Sequence, residues 1–185
     1  KEALEKIQSM VAADHQYQTS LVPADEMAKL KMLSSPGQNP KELENAIELA
    51  ALRHNVPKEQ LLAIVQQDRA ADFKNTVVKK GGLSKKQYSA IQDEAMRIGK
   101  GKSVEQYMNH LRMLKEEGGK ITPLQNEWLR TMGRITDAKG NRPFLQAKRT
   151  PEEQDRLKQY KEFKKEYAHY QRRMNEAMES GDDHA

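Results

Sequence analysis

Leu, Ile and Met recur at intervals of three and four along most of the chain. That is the period of a helix with one apolar face, and the alternation expected of strands is nearly absent. Asn39-Pro40 followed by Glu42, Ser84 by Gln87, Ser103 by Gln106, Thr122-Pro123 by Gln125, and Thr150-Pro151 by Glu153 each stand ahead of an apolar-periodic run. In such pairs the first side chain accepts from a free first-turn amide, and proline fits the first helical position because its missing N–H is not needed there. Pro23 and Pro57 supply two further first-turn prolines. The pattern predicts helices over about 2–18, 24–34, 41–54, 58–73, 84–98, 104–117, 123–135 and 151–179. Val77-Val78 is the one notable β-branched pair, and it lies beside Lys79-Lys80-Gly81-Gly82, which reads as a loop.

The expected architecture is therefore all-α, a compact multi-helix domain followed by a long C-terminal amphipathic helix. Residues 1–135 read as the helical body. Residues 136–149, with Gly140, Pro143, four basic residues and the lone acid Asp137, read as a basic surface loop. Residues 150–185 read as the last helix with a frayed tail from Ser180 to Ala185. In that helix Leu157, Tyr160, Phe163, Tyr167, Tyr170, Met174 and Met178 form one apolar, aromatic-rich stripe. Such a face packs on the body, on another copy of the chain, or on a different protein. Tyr and Met suit the docking reading, being common at interfaces. Glu152, Glu153, Glu162 and Glu166 among its lysines argue against a membrane-surface helix.

Composition narrows this picture. Hydrophobic residues make up 36% and charged residues 32%, so the core is thin for a chain of 185 residues and suits a helical array or a subunit that completes its burial against a partner. Between Lys74 and Arg149 there are 17 Lys/Arg against 7 Asp/Glu, whereas both flanks are mildly acidic. A regional excess of that size attracts a polyanion. The expected phosphate contacts are Lys79, Lys80, Lys85, Lys86, Lys100, Lys102, Lys139, Arg142, Lys148 and Arg149. Trp128, in helical register with Leu124 and Met132, reads as core and not as a base-stacking platform.

Most chemistry is disfavoured. The absence of cysteine excludes disulfides, thiolate metal sites and thiol nucleophiles. His15, His54, His110, His169 and His184 include no pair four apart, so no metal is expected, and His184 beside Asp182 and Asp183 is a poor site on a tail. Gly99-Lys100-Gly101-Lys102-Ser103 follows a helix and lacks the spacing of a phosphate-binding loop. No cofactor or small-molecule substrate is indicated. No run approaches the roughly 18 apolar residues of a membrane span, and the amphipathic start, Lys1 to Met10, is not of signal-peptide type. The expectation is a soluble chain, and the lack of an initiator Met suggests part of something longer.

One segment points to a family. His54-Asn55-Val56-Pro57, leading into Leu61-Leu62-Ala63-Ile64 and ending at Gln67-Asp68, resembles the opening helices of lytic transglycosylase domains, with the likeness running over about 46–83. The resemblance implies a lysozyme-like helical fold that cleaves peptidoglycan glycan strands. Its catalytic Glu-Ser falls on Asp68 and Arg69, and its Gly-Leu-Met-Gln signature on Gly82-Leu83-Ser84-Lys85. Glycosidic cleavage needs a protonated acid within reach of the leaving oxygen, and Asp68 is one methylene shorter and sits beside a cation. The resemblance therefore implies a degenerate, non-catalytic relative with Asp68 as the sole catalytic candidate. It also implies membership of an assembly such as a phage virion or a conjugation or secretion machine.

Two accounts of function follow: a structural or interaction protein that docks through the last stripe, helped by Leu4, Ile7 and Val11 of the first helix, and a non-specific nucleic-acid binder using the basic middle. Residual glycan cleavage is the third. The first is preferred.

Overall fold

In a computed structural model the described residues are 2–181, with the side chains of 11–20 left aside. They form eight helices and no strand: α1 (Glu2–Leu21), α2 (Ala24–Leu33), α3 (Pro40–His54), α4 (Lys58–Lys79), α5 (Lys85–Arg97), α6 (Val104–Glu116), α7 (Pro123–Gly133) and α8 (Pro151–Glu179). The chain is all-α with a long C-terminal helix. The starts read at Asn39, Ser84, Ser103, Thr122 and Thr150 each have a structural cause, whereas Pro23 and Pro57, expected in the first turn, stand at the N-cap of α2 and α4 with no side-chain cap hydrogen bond. Reciprocal side-chain and backbone hydrogen bonds close capping boxes at Ser84/Gln87, Ser103/Gln106, Thr122/Gln125 and Thr150/Glu153. Asn39 Oδ1 accepts from Lys41 N at 3.0 Å. Each cap satisfies amides that the first turn leaves without a carbonyl.

Two apolar clusters are strung on α4. The first gathers Met27 and Leu30 of α2, Ile47 and Ala50 of α3, and Leu61, Ile64 and Val65 of α4. The second gathers Val77 at the far end of α4 with Ile91 of α5, Tyr107 and Met108 of α6, and Trp128 and Met132 of α7. A helix of 22 residues is about 33 Å long, enough to serve both. This explains a departure from the sequence reading, which ended α4 near 73 and left Val77-Val78 outside it. Val77 is 2% exposed inside the second cluster, and that burial outweighs the modest helix cost of a β-branched side chain.

The segment 134–150 is more than a spacer. Ile135 packs on the second cluster and Phe144 enters it, while Arg112, itself buried, donates to the Ala147 carbonyl at 3.1 Å. Asp137 Oδ1 accepts from the amides of Lys139 and Asn141, both at 2.9 Å, which fixes the turn. The strap then crosses to the α2–α3 turn, where Gly37 has a φ of +81° and a Cβ would collide with the Lys148 carbonyl. On the first half, Glu26 of α2 holds the end of α3, through Arg53 Nη1 at 2.7 Å and His54 Nε2 at 2.5 Å.

Candidate docking surface on the last helix

The first three turns of α8 are fastened to the body. Arg149 enters from the strap with a side chain only 10% exposed and donates to Glu116 and, at 3.1 Å, to Glu117 Oε1. Arg112 donates to Glu116 Oε1 at 3.0 Å, so both acids at the end of α6 are engaged. Leu157 and Tyr160 are half-buried. The Tyr160 ring lies over Gly118, whose φ is +77° and whose missing Cβ would stand 2.5 Å from the Tyr160 oxygen.

Beyond Tyr160 the helix leaves the body. Every residue from Lys161 to Glu176 is exposed, and no residue of α8 is buried. Phe163 is 62% exposed, Tyr167 52%, Tyr170 60%, Met174 48% and Met178 76%. The rings of Phe163 and Tyr167 stack with centroids 6.2 Å apart, and Gln171 Nε2 donates to the Tyr167 hydroxyl at 3.1 Å. These contacts run along the helix and cover none of the stripe. The seven sequence-predicted docking residues thus divide: Leu157 and Tyr160 root the helix, and the other five line its open face.

The start of α1 presents a similar but thinner surface, with Leu4, Ile7 and Met10 exposed; the Val11 side chain lies outside the described residues. Other exposed apolar residues, such as Met32, Leu52 and Met96, belong to three different elements of the body.

The ten predicted phosphate contacts do not form one patch. Lys79, Lys80, Lys85 and Lys86 are exposed at the junction of α4 and α5, next to the strap that carries Lys139 and Arg142: Lys80 Nζ donates to the Thr136 carbonyl at 3.4 Å, and Ile135 packs over Gly82. Lys100 and Lys102 are exposed beyond the other end of α5, about 20 Å away along its 13 residues. Lys148 is exposed where the strap meets Gly37. Arg149 is the exception, because its guanidinium is held inside by Glu116 and Glu117.

Asp68 is half-buried on α4 and lines none of the three principal clefts. Arg69 turns away to Glu105, with Nη2 to Oε1 at 2.6 Å and Nε to Oε2 at 2.9 Å, and its Nη1 donates to the Lys31 carbonyl. Glu105, which lines two of those clefts, is thus held in a two-point ion pair. Trp128 and Met132 are buried, whereas Leu124 is 55% exposed.

Sequence reasoning missed the α8 root, namely Arg112, Glu116, Glu117 and Gly118. The signal was the acidic pair directly before a glycine, which closes α6 and faces the strap. It also missed a cleft of about 660 Å³ between the α2–α3 turn, α6 and the start of α8, lined by Lys102, Asn109, His110, Thr150 and Arg156. Asn109 Nδ2 donates to the Glu105 carbonyl, and its buried Oδ1 accepts no hydrogen bond. Desolvation, then the charges of Lys102 and Arg156, hold the His110 imidazole below its ordinary pKa. Among the described residues no group of three His, Asp or Glu could hold a metal, and no helix is long and apolar enough to cross a membrane. His15, Asp182, Asp183 and His184 lie outside the residues whose side chains are described.

Comparison with known proteins finds no matching family model, no matching curated protein and no matching solved structure.

Proposed function

We propose that this chain is a helical interaction protein, a component of a larger assembly that docks through the outer face of α8 and carries no reaction centre of its own. The observation that carries this reading is the run Phe163, Tyr167, Tyr170, Met174 and Met178, five large apolar side chains in helical register and about half to three-quarters exposed. Apolar surface gathered on one rigid element is favourable to cover, at roughly 25 cal/mol per Å². Large contiguous patches of this kind mark interaction sites more often than scattered exposed residues do.

The test replaces Tyr167, Tyr170 and Met174 together with Ser. The body is expected to keep its urea unfolding midpoint in dilute solution, while association measured by sedimentation is lost. Loss of the whole fold, or association that persists unchanged, overturns the reading.

A second reading, weak and sequence-independent binding of nucleic acid, is supported by the exposure of nine of the ten expected cations. Its test is retention on DNA at about 50 and 200 mM salt, where several phosphate contacts predict a steep loss and absence of binding at the lower salt removes the reading. For residual glycan cleavage, digestion of peptidoglycan by the parent and by Asp68→Asn is expected to be equally absent.

A further inference from the structure

The outer part of α8 carries a heptad. Tyr160, Tyr167 and Met174 fall at one apolar position, called a, and Phe163, Tyr170 and Ala177 at the other, called d, with strict alternation of three and four residues. This is the spacing by which two helices wrap around each other. Apart from Tyr160, which leans on Gly118, nothing in the chain covers this face among the described residues, and among them no ion pair forms within Lys161–Glu179. The outer part of α8 lacks the tertiary packing from which most helix stability in proteins comes, so a partner helix would stabilise it as well as cover it.

We infer that the occupant of this face is α8 of a second copy, laid antiparallel, so that Phe163 meets Met174 of the second copy and Tyr167 meets its Tyr170. The inference rests on the docking reading above and names its partner. Charge flanking the seam selects orientation and register. In an antiparallel pair the residues preceding each a position face one another across the seam, and here these are Glu166 and Arg173. The stated register brings each Glu166 against the other copy's Arg173, giving two such pairs, one on each side of the twofold axis. Sliding by one heptad in one direction sets Glu166 against Glu166, and in the other Arg173 against Arg173. A parallel pair would place Glu166 opposite Gln171 and Arg173 opposite Met178, with no ion pair. Like charges opposed across a seam act against a register as effectively as matched ones favour it.

The layers also match in size. Phe163 with Met174 and Tyr167 with Tyr170 fill the centre, and Tyr160, already leaning on Gly118, meets the small Ala177 at each end. With aromatic side chains of about 150–250 Å² each, their fractional exposures leave roughly 500 Å² to be covered per copy. The total of about 1,000 Å² lies at the lower edge of specific interfaces, so a dimer of micromolar affinity is expected. The two bodies stand at opposite ends, because each helix root lies about 17 residues, or roughly 26 Å, from the other along the pair.

The absence of native cysteine makes the geometry readable. Phe163→Cys and Met174→Cys chains, prepared separately and mixed under mild oxidation, are expected to give predominantly the mixed disulfide dimer. A parallel pair would give like-with-like dimers, and absence of cross-linking would mean no such pair; either result overturns the inference. Sedimentation equilibrium supplies the second measurement. Glu166→Arg alone is expected to weaken the dimer about tenfold or more, and Glu166→Arg with Arg173→Glu to restore it to within about threefold. Equal weakening by the single and double variants contradicts the register. A parent chain that stays monomeric at about 200 µM overturns the dimer; if the triple Ser variant of α8 keeps its body folded, the docking reading survives that failure, and if it unfolds, both fall.

Discussion

Helices α6 and α8 share a vocabulary and differ in fate. In α6, Val104, Tyr107, Met108 and Leu111 fall at helical spacing and are all at most 6% exposed, closed over by α5, α7 and Phe144. In α8, Leu, Tyr, Phe and Met fall at the same spacing, yet Phe163, Tyr167, Tyr170, Met174 and Met178 are all exposed. The contrast teaches that periodicity declares a face to be covered and is silent on what covers it. The supply of neighbours decides. α6 sits between short connections that return the chain across its stripe, whereas the strap that precedes α8 is used to close the body.

The largest expected effect that tests this contrast is on stability. Met108→Ala removes a fully buried side chain and is expected to cost about 3 kcal/mol. Tyr170→Ala in dilute solution is expected to cost less than about 0.5 kcal/mol. Urea unfolding measures both, and equal costs would break the distinction between the two helices. Next comes the root of α8. Arg149→Ala leaves Glu117, whose side chain is 18% exposed, without its nearest cation, and a loss of about 2–3 kcal/mol is expected. Lys139→Ala, on an exposed lysine, should change stability by no more than a few tenths of a kcal/mol. Comparable effects would mean that Arg149 is a surface cation after all.

Gly118→Ala sharpens the boundary between the rooted and open parts of α8. A side chain at a φ of +77°, pressed on the Tyr160 ring, is expected to cost about 1–2 kcal/mol. Amide exchange over 151–160 should quicken more than exchange over α6. The smallest effect concerns His110 in the cleft beside α8. Its folded pKa is lowered, so the unfolded chain binds that proton more tightly; stability is intact above about pH 6.5, the unfolded value, and declines as pH falls below it. NMR titration should place the imidazole below its ordinary value, and Arg156→Ala, which removes a neighbouring positive charge, should bring it part of the way back.

Most of the fold was legible because helix starts are local events. A Ser or Thr with Gln or Glu three residues on makes the same pair of hydrogen bonds wherever the rest of the chain lies, and all four capping boxes of this type were readable from spacing alone. The end of α4 was less legible because Val77 is held helical by a cluster built from helices that come later in the chain. Arg149 was misplaced for the same reason. Counted with Lys139, Arg142 and Lys148 it is one more cation, and only the fold brings Glu116 and Glu117 to it across more than thirty residues. For the docking face, the stripe itself was written in the sequence, while its division at Tyr160 depended on Gly118 and could not be seen without the structure.

The claim on which this account turns is that residues 161–179 form an open surface carried by a body that folds without them. Segment-resolved amide hydrogen exchange tests it most directly when run at about 1 µM and again at about 200 µM. The prediction is near-unprotected amides in 161–179 at the lower concentration, protection there that grows at the higher, and unchanged strong protection in α6. Protection of 161–179 equal to that of α6 at the lower concentration would contradict it.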